Sequence, residues 1–293
     1  MLINGTKIAA ELRAGYKEVV SQFEKRAPCL ALIMVGNNPA SEIYVKYKAR
    51  ACEEVGIHSI RKVFPEAIKE EALLAEVTLL NNDPMVDGIL VQLPLPPHID
   101  PLLVMRMVLP EKDVDGFHPL NQGKLFMGET DGFVPCTPLG ISVMLERSGI
   151  DTRGKHAVIV GRSTIVGRPM AALLLRKGRG GDATVTVVHS QSTDISTLCR
   201  SADILIAAIG KPHYIKKEMV KDGAVVIDVG INRVGSSSTL VGDVDFDAVK
   251  EKCSAITPVP GGVGPMTIAL LLNNTIKSYL HSHPDSRCTH SFY

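Results

Sequence analysis

The sequence predicts an α/β fold of two parallel-sheet units, an N-terminal α/β domain followed by a Rossmann-type dinucleotide-binding domain. Three observations predict it. Short apolar or β-branched runs alternate with helical patterns through the first half of the chain. Lys155 to Met170, KHAVIVGRSTIVGRPM, carries a buried strand (Val158, Ile159, Val160) through a turn at Gly161 into a helix that starts at Gly167. Ala183 to His189, ATVTVVH, supplies the second strand that a βαβ unit requires, about 20 residues on.

The elements follow in order. Leu30 to Val35 is a short apolar strand. Asn38 as N-cap and Pro39 at the first helical position start a helix, and Gly56 ends it. Ile60 to Phe64 reads as a strand, Ile68 to Leu80 as a helix, and Gly88 to Leu93 as a third strand with the polar Gln92 inside it. Asp100-Pro101 opens another helix by the same capping logic. Pro110 to Thr137 is dense in Gly, Pro and Asp but interleaved with Leu, Phe and Val, and reads as a functional loop and interdomain passage. A helix from Pro138 leads into the βαβ unit. Strands at Ile204 to Ile209 and Val225 to Val229 come next, then a hairpin-like Asn232 to Val244. The loop Pro258 to Pro265 and a long apolar helix, Met266 to Leu280, close the fold. The last residues, HSHPDSRCTHSFY, have no periodicity and read as a loose tail. The expected division is 1–137 with the C-terminal segment 266–293 as one domain and 138–265 as the other, with a cleft between them.

Composition excludes several function classes. A chain of 293 residues with 45% hydrophobic content buries a full core. Its 32 Lys and Arg against 31 Asp and Glu leave a net charge of +1 with no basic block, so nucleic acid is not an expected partner. No apolar run approaches the roughly 18 residues that cross a bilayer, so no membrane is expected. MLINGTKIAAELRAGY enters a helical pattern at once and reads as neither a signal nor an obvious transit peptide. The expected compartment is the cytoplasm, although a trimmed mitochondrial precursor would look the same. The six cysteines (Cys29, Cys52, Cys136, Cys199, Cys253, Cys288) show no CxxC and no zinc spacing, so free thiols and no metal site are expected. Cys136 has no paired base nearby in sequence and reads as a structural thiol.

A glycine turn from a strand into a helix offers free N–H groups and a positive dipole end, which suit a pyrophosphate. Here the turn reads G-x-S-x-x-x-G, through Gly161, Arg162, Ser163 and Gly167. Small residues are common at such turns, so the pattern draws its meaning from the βαβ context. The second strand ends His189-Ser190-Gln191-Ser192, without the acid that accepts from a ribose 2′-hydroxyl. Arg162 and Ser190 offer the charge-assisted hydrogen bonds of a 2′-phosphate, which favours NADP over NAD. The plainer reading makes Arg162 a solvated loop residue and Ser190 a cap for the next helix.

In the first half, Ser41, Tyr44 and Lys48 share one helix face. A Tyr and a Lys at that spacing are usually a solvated pair, and Lys46 is an equally eligible surface cation. Gln92, in VQLPLPP and followed by Leu93, needs partners, either as a core hydrogen-bonder or in a cleft. Asp113 and Asp115 in KDVDG are turn-formers by default. Pro258 to Pro265 holds three glycines and three prolines in eight residues, with Pro260, Gly261 and Gly262 at its centre. Such a rigid loop lets backbone approach a flat ligand.

Taken in order, Tyr44-Val45-Lys46-Tyr47-Lys48, Val91-Gln92-Leu93-Pro94-Leu95, Lys112-Asp113-Val114-Asp115-Gly116, Pro135-Cys136-Thr137-Pro138, Gly161-Arg162-Ser163 to Gly167 and Pro258 to Pro265 resemble the bifunctional methylenetetrahydrofolate dehydrogenase/methenyltetrahydrofolate cyclohydrolase family. The match runs from Gly5 to Leu280. The resemblance implies that Lys48 is the key catalytic group, that Gln92 contacts it and that Asp115 holds the pterin. Tyr44 would stack on the folate, with Ser41, Leu93 and the Pro260-Gly261-Gly262 loop lining its site. Gly161, Ser163, Gly167 and His189 would lie along the cofactor, with Arg162 and Ser190 on its 2′-phosphate. It implies hydride transfer from 5,10-methylenetetrahydrofolate to NADP⁺, hydrolysis of the methenyl product to 10-formyltetrahydrofolate, a folate substrate with or without a polyglutamyl tail, and a homodimer. The hydrolytic step needs a base, and a lysine serves only when neutral. Because the matched motifs assign Lys48 no carboxylate partner, the methenyl cation itself is expected to disfavour the protonated amine. Two rivals are a different NADP-linked oxidoreductase on the same frame, such as one for a shikimate-like acid, and a non-catalytic dinucleotide sensor. The PGGVGP loop argues against the first, since a small acid needs no flat slot. The joint presence of Lys48, Gln92 and Asp115 argues against the second.

Overall fold

The computed structural model describes residues 1–233, 240–286 and 293. The chain divides into two units. One comprises Ala10–Lys124, Glu129–Cys136 and Ile268–Tyr293, and the other Met1–Ala9, Leu125–Gly128 and Thr137–Thr267.

Helix α1 (Gly5–Val20) precedes the first strand, β1 (Cys29–Val35), every residue of which is buried. That is the pattern of a central parallel strand covered on both faces, and it accounts for the unbroken apolar run. Helix α2 (Pro39–Val55) begins where the sequence predicts: Ser41 N–H donates to Asn38 Oδ1 at 3.2 Å, and Gly56 ends it at φ +83°. Strand β2 (His58–Phe64) is half-exposed and carries Arg61 and Lys62, as suits an edge. Helix α3 (Glu70–Asn82) leads to β3 (Gly88–Val91), and the sheet is parallel in the order β2-β1-β3. Leu73, Val77 and Leu80 pack with Ala31 and Ile33 in its core. In α4 (Pro101–Met107), Leu102 N–H donates to Asp100 Oδ1 at 2.9 Å.

Helix α5 (Pro119–Met127) corrects the expectation of a plain loop from Pro110 to Thr137. Pro119 sits at its first position, where the missing N–H costs nothing. Strand β3 is also shorter than expected: it ends at Val91, so Gln92 stands one residue beyond it, its N–H still bonded to Ile33 O at 2.8 Å.

The second sheet follows α6 (Cys136–Arg147). Strand β4 (His156–Val160), α7 (Gly167–Leu175), β5 (Thr184–Val188), α8 (Ile195–Arg200), β6 (Ile204–Ala207) and β7 (Val225–Asp228) come in succession. Strands β8 (Asn232–Arg233) and β9 (Leu240–Val241) pair antiparallel, as the hairpin reading expects, while its turn, 234–239, lies outside the described residues. Helix α9 (Phe246–Val249) and β10 (Ala255–Ile256) complete a five-stranded parallel sheet in the order β10-β7-β6-β4-β5. Its direction of winding reverses between β4 and β6, the place where such sheets bind ligands outside their carboxyl ends. Val158, Val160, Leu205, Ala207 and Val226 form its core. The free edge of β10 is taken by the chain's start: Ile256 N–H donates to Met1 O at 3.0 Å and Ile3 N–H to Ile256 O at 2.9 Å.

Helix α10 (Val263–Ser282) begins inside the glycine-proline loop, three residues before the expected Met266. Pro265 falls within its first turn, where no intrahelical N–H donor is required. The tail residues 287–292, Cys288 among them, lie outside the described residues. The other five cysteines are free thiols, all but the half-buried Cys253 fully buried. Among the described residues, no helix is long and apolar enough to cross a membrane.

Candidate active site

Helix α2 turns Ser41, Val45 and Lys48 inward with Tyr44 half-buried beside them, and leaves Lys46 and Tyr47 exposed. This separates the two candidate cations. Lys48 is only 8% exposed, and its Nζ donates to Gln92 Oε1 at 3.0 Å. Gln92 Nε2 in turn donates to the Leu93 carbonyl at 2.7 Å. The amide is thereby held with its oxygen toward the lysine, which gives the polar residue beyond β3 the partners it needs.

The Lys112–Gly116 loop presents the second group. Asp113 is buried and far from a mere turn-former. It accepts from Phe117 N–H at 3.1 Å, His118 N–H at 2.8 Å and Asn121 Nδ2 at 2.8 Å. Burial pushes its carboxyl up to about 7, against the pull of those donors. Asp115 is half-buried; burial raises its pKa, and the charge of Lys48 and a hydrogen bond with Cys136 oppose the rise. Lys48 therefore has a carboxylate within electrostatic reach, which corrects the expectation that it lacks one. Burial, with the charge of Asp115, holds the Cys136 thiol well above its ordinary range, so it is a structural thiol and no nucleophile. Asp115 and Leu93 both line an apolar recess walled by Ile89, Val91, Val104 and Phe117.

The loop is braced from α10. Asn274 Nδ2 donates to the carbonyls of Val114 at 2.8 Å and Val134 at 3.1 Å, and Cys136 Sγ donates to Val114 O at 3.4 Å. Neither Asp113 nor Asn274 stands out by spacing. The available signal for the second was the polar trio Asn273-Asn274-Thr275 in an otherwise apolar helix, all three buried.

In the five-stranded sheet, Val160 lies opposite Val188, and Gly161 N–H donates to Val188 O at 2.9 Å. Gly161-Arg162 and His189-Ser190 therefore leave neighbouring strands at the same end. Gly161 has φ +125°, and a Cβ there would overlap the Ala208 carbonyl; a Cβ on Gly167 would overlap the carbonyl of Gly161. Only glycine fits either place, because the turn packs backbone to backbone against Ala208 and against itself. Ser163 Oγ accepts from Val166 N–H at 3.1 Å and Gly167 N–H at 3.4 Å, capping α7. Arg162, Ser163 and Ser190 are exposed, and His189 is half-buried. Ser190 does not cap α8: that role belongs to Asp194, whose carboxylate accepts from Thr197 N–H at 3.2 Å. The plainer reading of Ser190 is thereby removed. No acid stands in the five residues after β5.

Pro260, Gly261 and Gly262 belong to the unit with the five-stranded sheet, whereas Ser41, Tyr44, Lys48, Gln92, Leu93 and Asp115 belong to the other. Their loop is tied to the chain's start: Thr6 N–H donates to Gly261 O at 3.0 Å, and Gly261 has φ +99°.

Two family models match the chain, the tetrahydrofolate dehydrogenase/cyclohydrolase catalytic domain over residues 3–115 and the NAD(P)-binding domain of the same family over residues 135–283. The bifunctional protein FolD of Protochlamydia amoebophila is 56% identical over 287 residues, covering 96% of this chain and 98% of that protein. Among solved structures, the bifunctional FolD dehydrogenase/cyclohydrolase of Campylobacter jejuni has a TM-score of 0.92 at 50% identity, covering 96% of this chain and 99% of its own. The Trypanosoma brucei FolD, complexed with NADP and an inhibitor, has a TM-score of 0.92 at 39% identity over 97% of this chain and 98% of its own. A lysine held by a glutamine near a half-buried carboxyl group, and a glycine turn into a helix at the reversal of a parallel sheet, thus stand in a chain that belongs to the tetrahydrofolate dehydrogenase/cyclohydrolase family, its catalytic domain followed by its NAD(P)-binding domain.

Proposed function

We propose that this protein oxidises 5,10-methylenetetrahydrofolate with NADP⁺ and hydrolyses the methenyl product to 10-formyltetrahydrofolate. The observation that carries the residue assignment is the Lys48–Gln92 pair at 3.0 Å with Asp115 in reach. NADP⁺ supplies a hydride acceptor when bound. With Gly161 and Gly167 shaping the turn, the N-terminus of α7 would offer N–H donors to its phosphates, and Arg162 and Ser190, at a strand end without an acid, would take the 2′-phosphate.

The folate lies against Tyr44, Ser41 and Leu93, with Asp115 on the pterin. Hydride loss is assisted by the substrate's own nitrogen lone pairs, so the protein's part is orientation. For the hydrolytic step Lys48, as the neutral amine, takes a proton from the attacking water. Gln92 directs the amine through one hydrogen bond without adding a charge. A homodimer in the cytoplasm, taking folates with or without a polyglutamyl tail, completes the proposal on the strength of the resemblance.

The test is to incubate the protein with 5,10-methylenetetrahydrofolate and either NADP⁺ or NAD⁺, following reduced cofactor and methenyl product separately. NADPH formed without lasting methenyl signal supports both activities. Accumulated methenyl product would remove Lys48 from the role of base, and preference for NAD⁺ would remove Arg162 and Ser190 from theirs.

A further inference from the structure

The carboxyl end of β6 runs beside the glycine turn: the Ala208 carbonyl fills the space that a side chain on Gly161 would need. The next two residues, Ile209 and Gly210, are fixed from a distant point of the chain. Asp243, fully buried between β9 and α9, accepts on Oδ2 from Ile209 N–H at 2.7 Å and Gly210 N–H at 2.9 Å. Its other oxygen accepts from Asn232 Nδ2 at 2.9 Å, just past β7. A second buried acid supports the first. Asp228, at the end of β7, accepts from Gly230, Asp243 and Val244 N–H, each at 2.9 Å. Gly230 has no room for a Cβ against the Asp243 carboxylate.

Two acids in a dry interior are costly unless every oxygen is hydrogen-bonded, and here every one is. Their donors are almost all backbone N–H groups of segments that leave the sheet at its carboxyl end. The apolar cluster below, built on Val158, Leu205 and Val226, makes the core of the sheet without them. What the acids determine is the path of the chain after β6 and β7, at the reversal of strand order where ligands of such sheets bind.

We infer that Asp243 is a positioning residue for the dehydrogenase reaction, setting Ile209, Gly210 and Asn232 where the strand ends meet the cofactor. This rests on the reading that NADP⁺ lies along Gly161 and Gly167. The bifunctional chemistry supplies the discriminating readout, because hydrolysis of the methenyl group needs no nicotinamide.

Asp243→Ala and Asp243→Asn are to be made in the full chain. Dehydrogenase KM for NADP⁺, dehydrogenase kcat, cyclohydrolase rate and melting temperature are measured for each. Asp243→Ala leaves the Ile209 and Gly210 N–H groups and Asn232 Nδ2 without this acceptor, and the expected rise in KM for NADP⁺ is about tenfold or more. The cyclohydrolase rate stays within about twofold of wild type. Asp243→Asn keeps one carbonyl for Ile209 and Gly210 but turns its NH₂ on the Asn232 amide, so its effect is smaller. Adding Asn232→Asp to Asp243→Asn restores that donor–acceptor pair and recovers the KM. If Asp243→Ala fails to fold, the Asn variant and its paired rescue decide. An unchanged KM, or both activities falling together, would overturn the inference while wild-type NADP⁺ reduction leaves the function reading standing. A wild-type protein inert towards NADP⁺ would overturn both.

Discussion

Gln92→Ala removes the amide oxygen that accepts from Lys48, and its consequence can be worked from the geometry. Removing the acceptor of an amine only 8% exposed, held at 3.0 Å, costs about 1–3 kcal/mol. Spent entirely on the hydrolytic transition state, that is a fall in cyclohydrolase kcat of about 5- to 150-fold. Hydride transfer does not use the amine as a base and should lose about threefold or less. Gln92→Glu separates direction from charge. It keeps an oxygen near Nζ but sets a carboxylate there, worth about 5 kcal/mol to the ammonium at an effective dielectric near 20, less the cost of burying a second charge. A base must be neutral, so the Glu variant should lose cyclohydrolase activity at least as fully as the Ala variant. Both rates are read in one assay, NADPH from the first step and decay of the methenyl absorbance for the second. A Gln92→Glu enzyme with wild-type cyclohydrolase turnover would refute the reasoning, and so would equal losses in both steps.

Four further outcomes are expected. Gly161→Ala meets the Ala208 carbonyl at φ +125° and should cost about 1–3 kcal/mol, read as a lower melting temperature together with weaker NADP⁺ binding; an unchanged melt would mean that the turn relaxes freely. Arg162→Gln should raise KM for NADP⁺ about tenfold and leave KM for NAD⁺ unmoved, and a parallel rise in both would show that Arg162 does not read the 2′-phosphate. Asn274→Leu strands the Val134 carbonyl and leaves Val114 O only the Cys136 thiol, so the unfolding free energy from a denaturant titration should fall by about 1–3 kcal/mol with a higher KM for folate; an unmoved folate KM would detach Asn274 from the Asp115 loop. Asp113 should titrate near pH 7 in a carboxyl-carbon NMR experiment. Because its folded pKa is raised, its contribution to stability is full below its ordinary value of 3.8 and is lost as pH rises through about 7. A midpoint below 4 would show that its three N–H donors outweigh burial.

Local chemistry made much of this molecule legible. Asn38, Pro39 and Gly56 bound α2 because caps act on their own neighbours, and the 3.6-residue period puts Lys48 on the inward face and Lys46 outside. The turn from Gly161 to Gly167 is legible for the same reason. Helix α5 was not, because Gly123 and the surrounding Gly, Pro and Asp gave its stretch the composition of a loop, with only Asn121 and Leu125 turned into the core. Asp113 reads as a turn-former from its neighbours alone, because burial, which no spacing reports, is what turns a loop acid into an anchor. Asp243 lay furthest from view: it serves backbone N–H groups 33 and 34 residues earlier, and such donors carry no side-chain signature.

The outermost strand of the five-stranded sheet, β10, owes the cover of its outer side to Met1 and Ile3, residues about 250 positions earlier in the chain. During synthesis those residues wait, unpaired, until Ile256 has left the ribosome. A fragment starting at residue 135, which is where the match to the family's NAD(P)-binding domain begins, would leave the N–H and C=O of Ile256 and the Ser254 carbonyl bare for another copy to pair with. Co-expressing the missing first residues as a peptide, or grafting them through a short linker onto the free side of Ile256, is the way such a fragment would be kept from self-association.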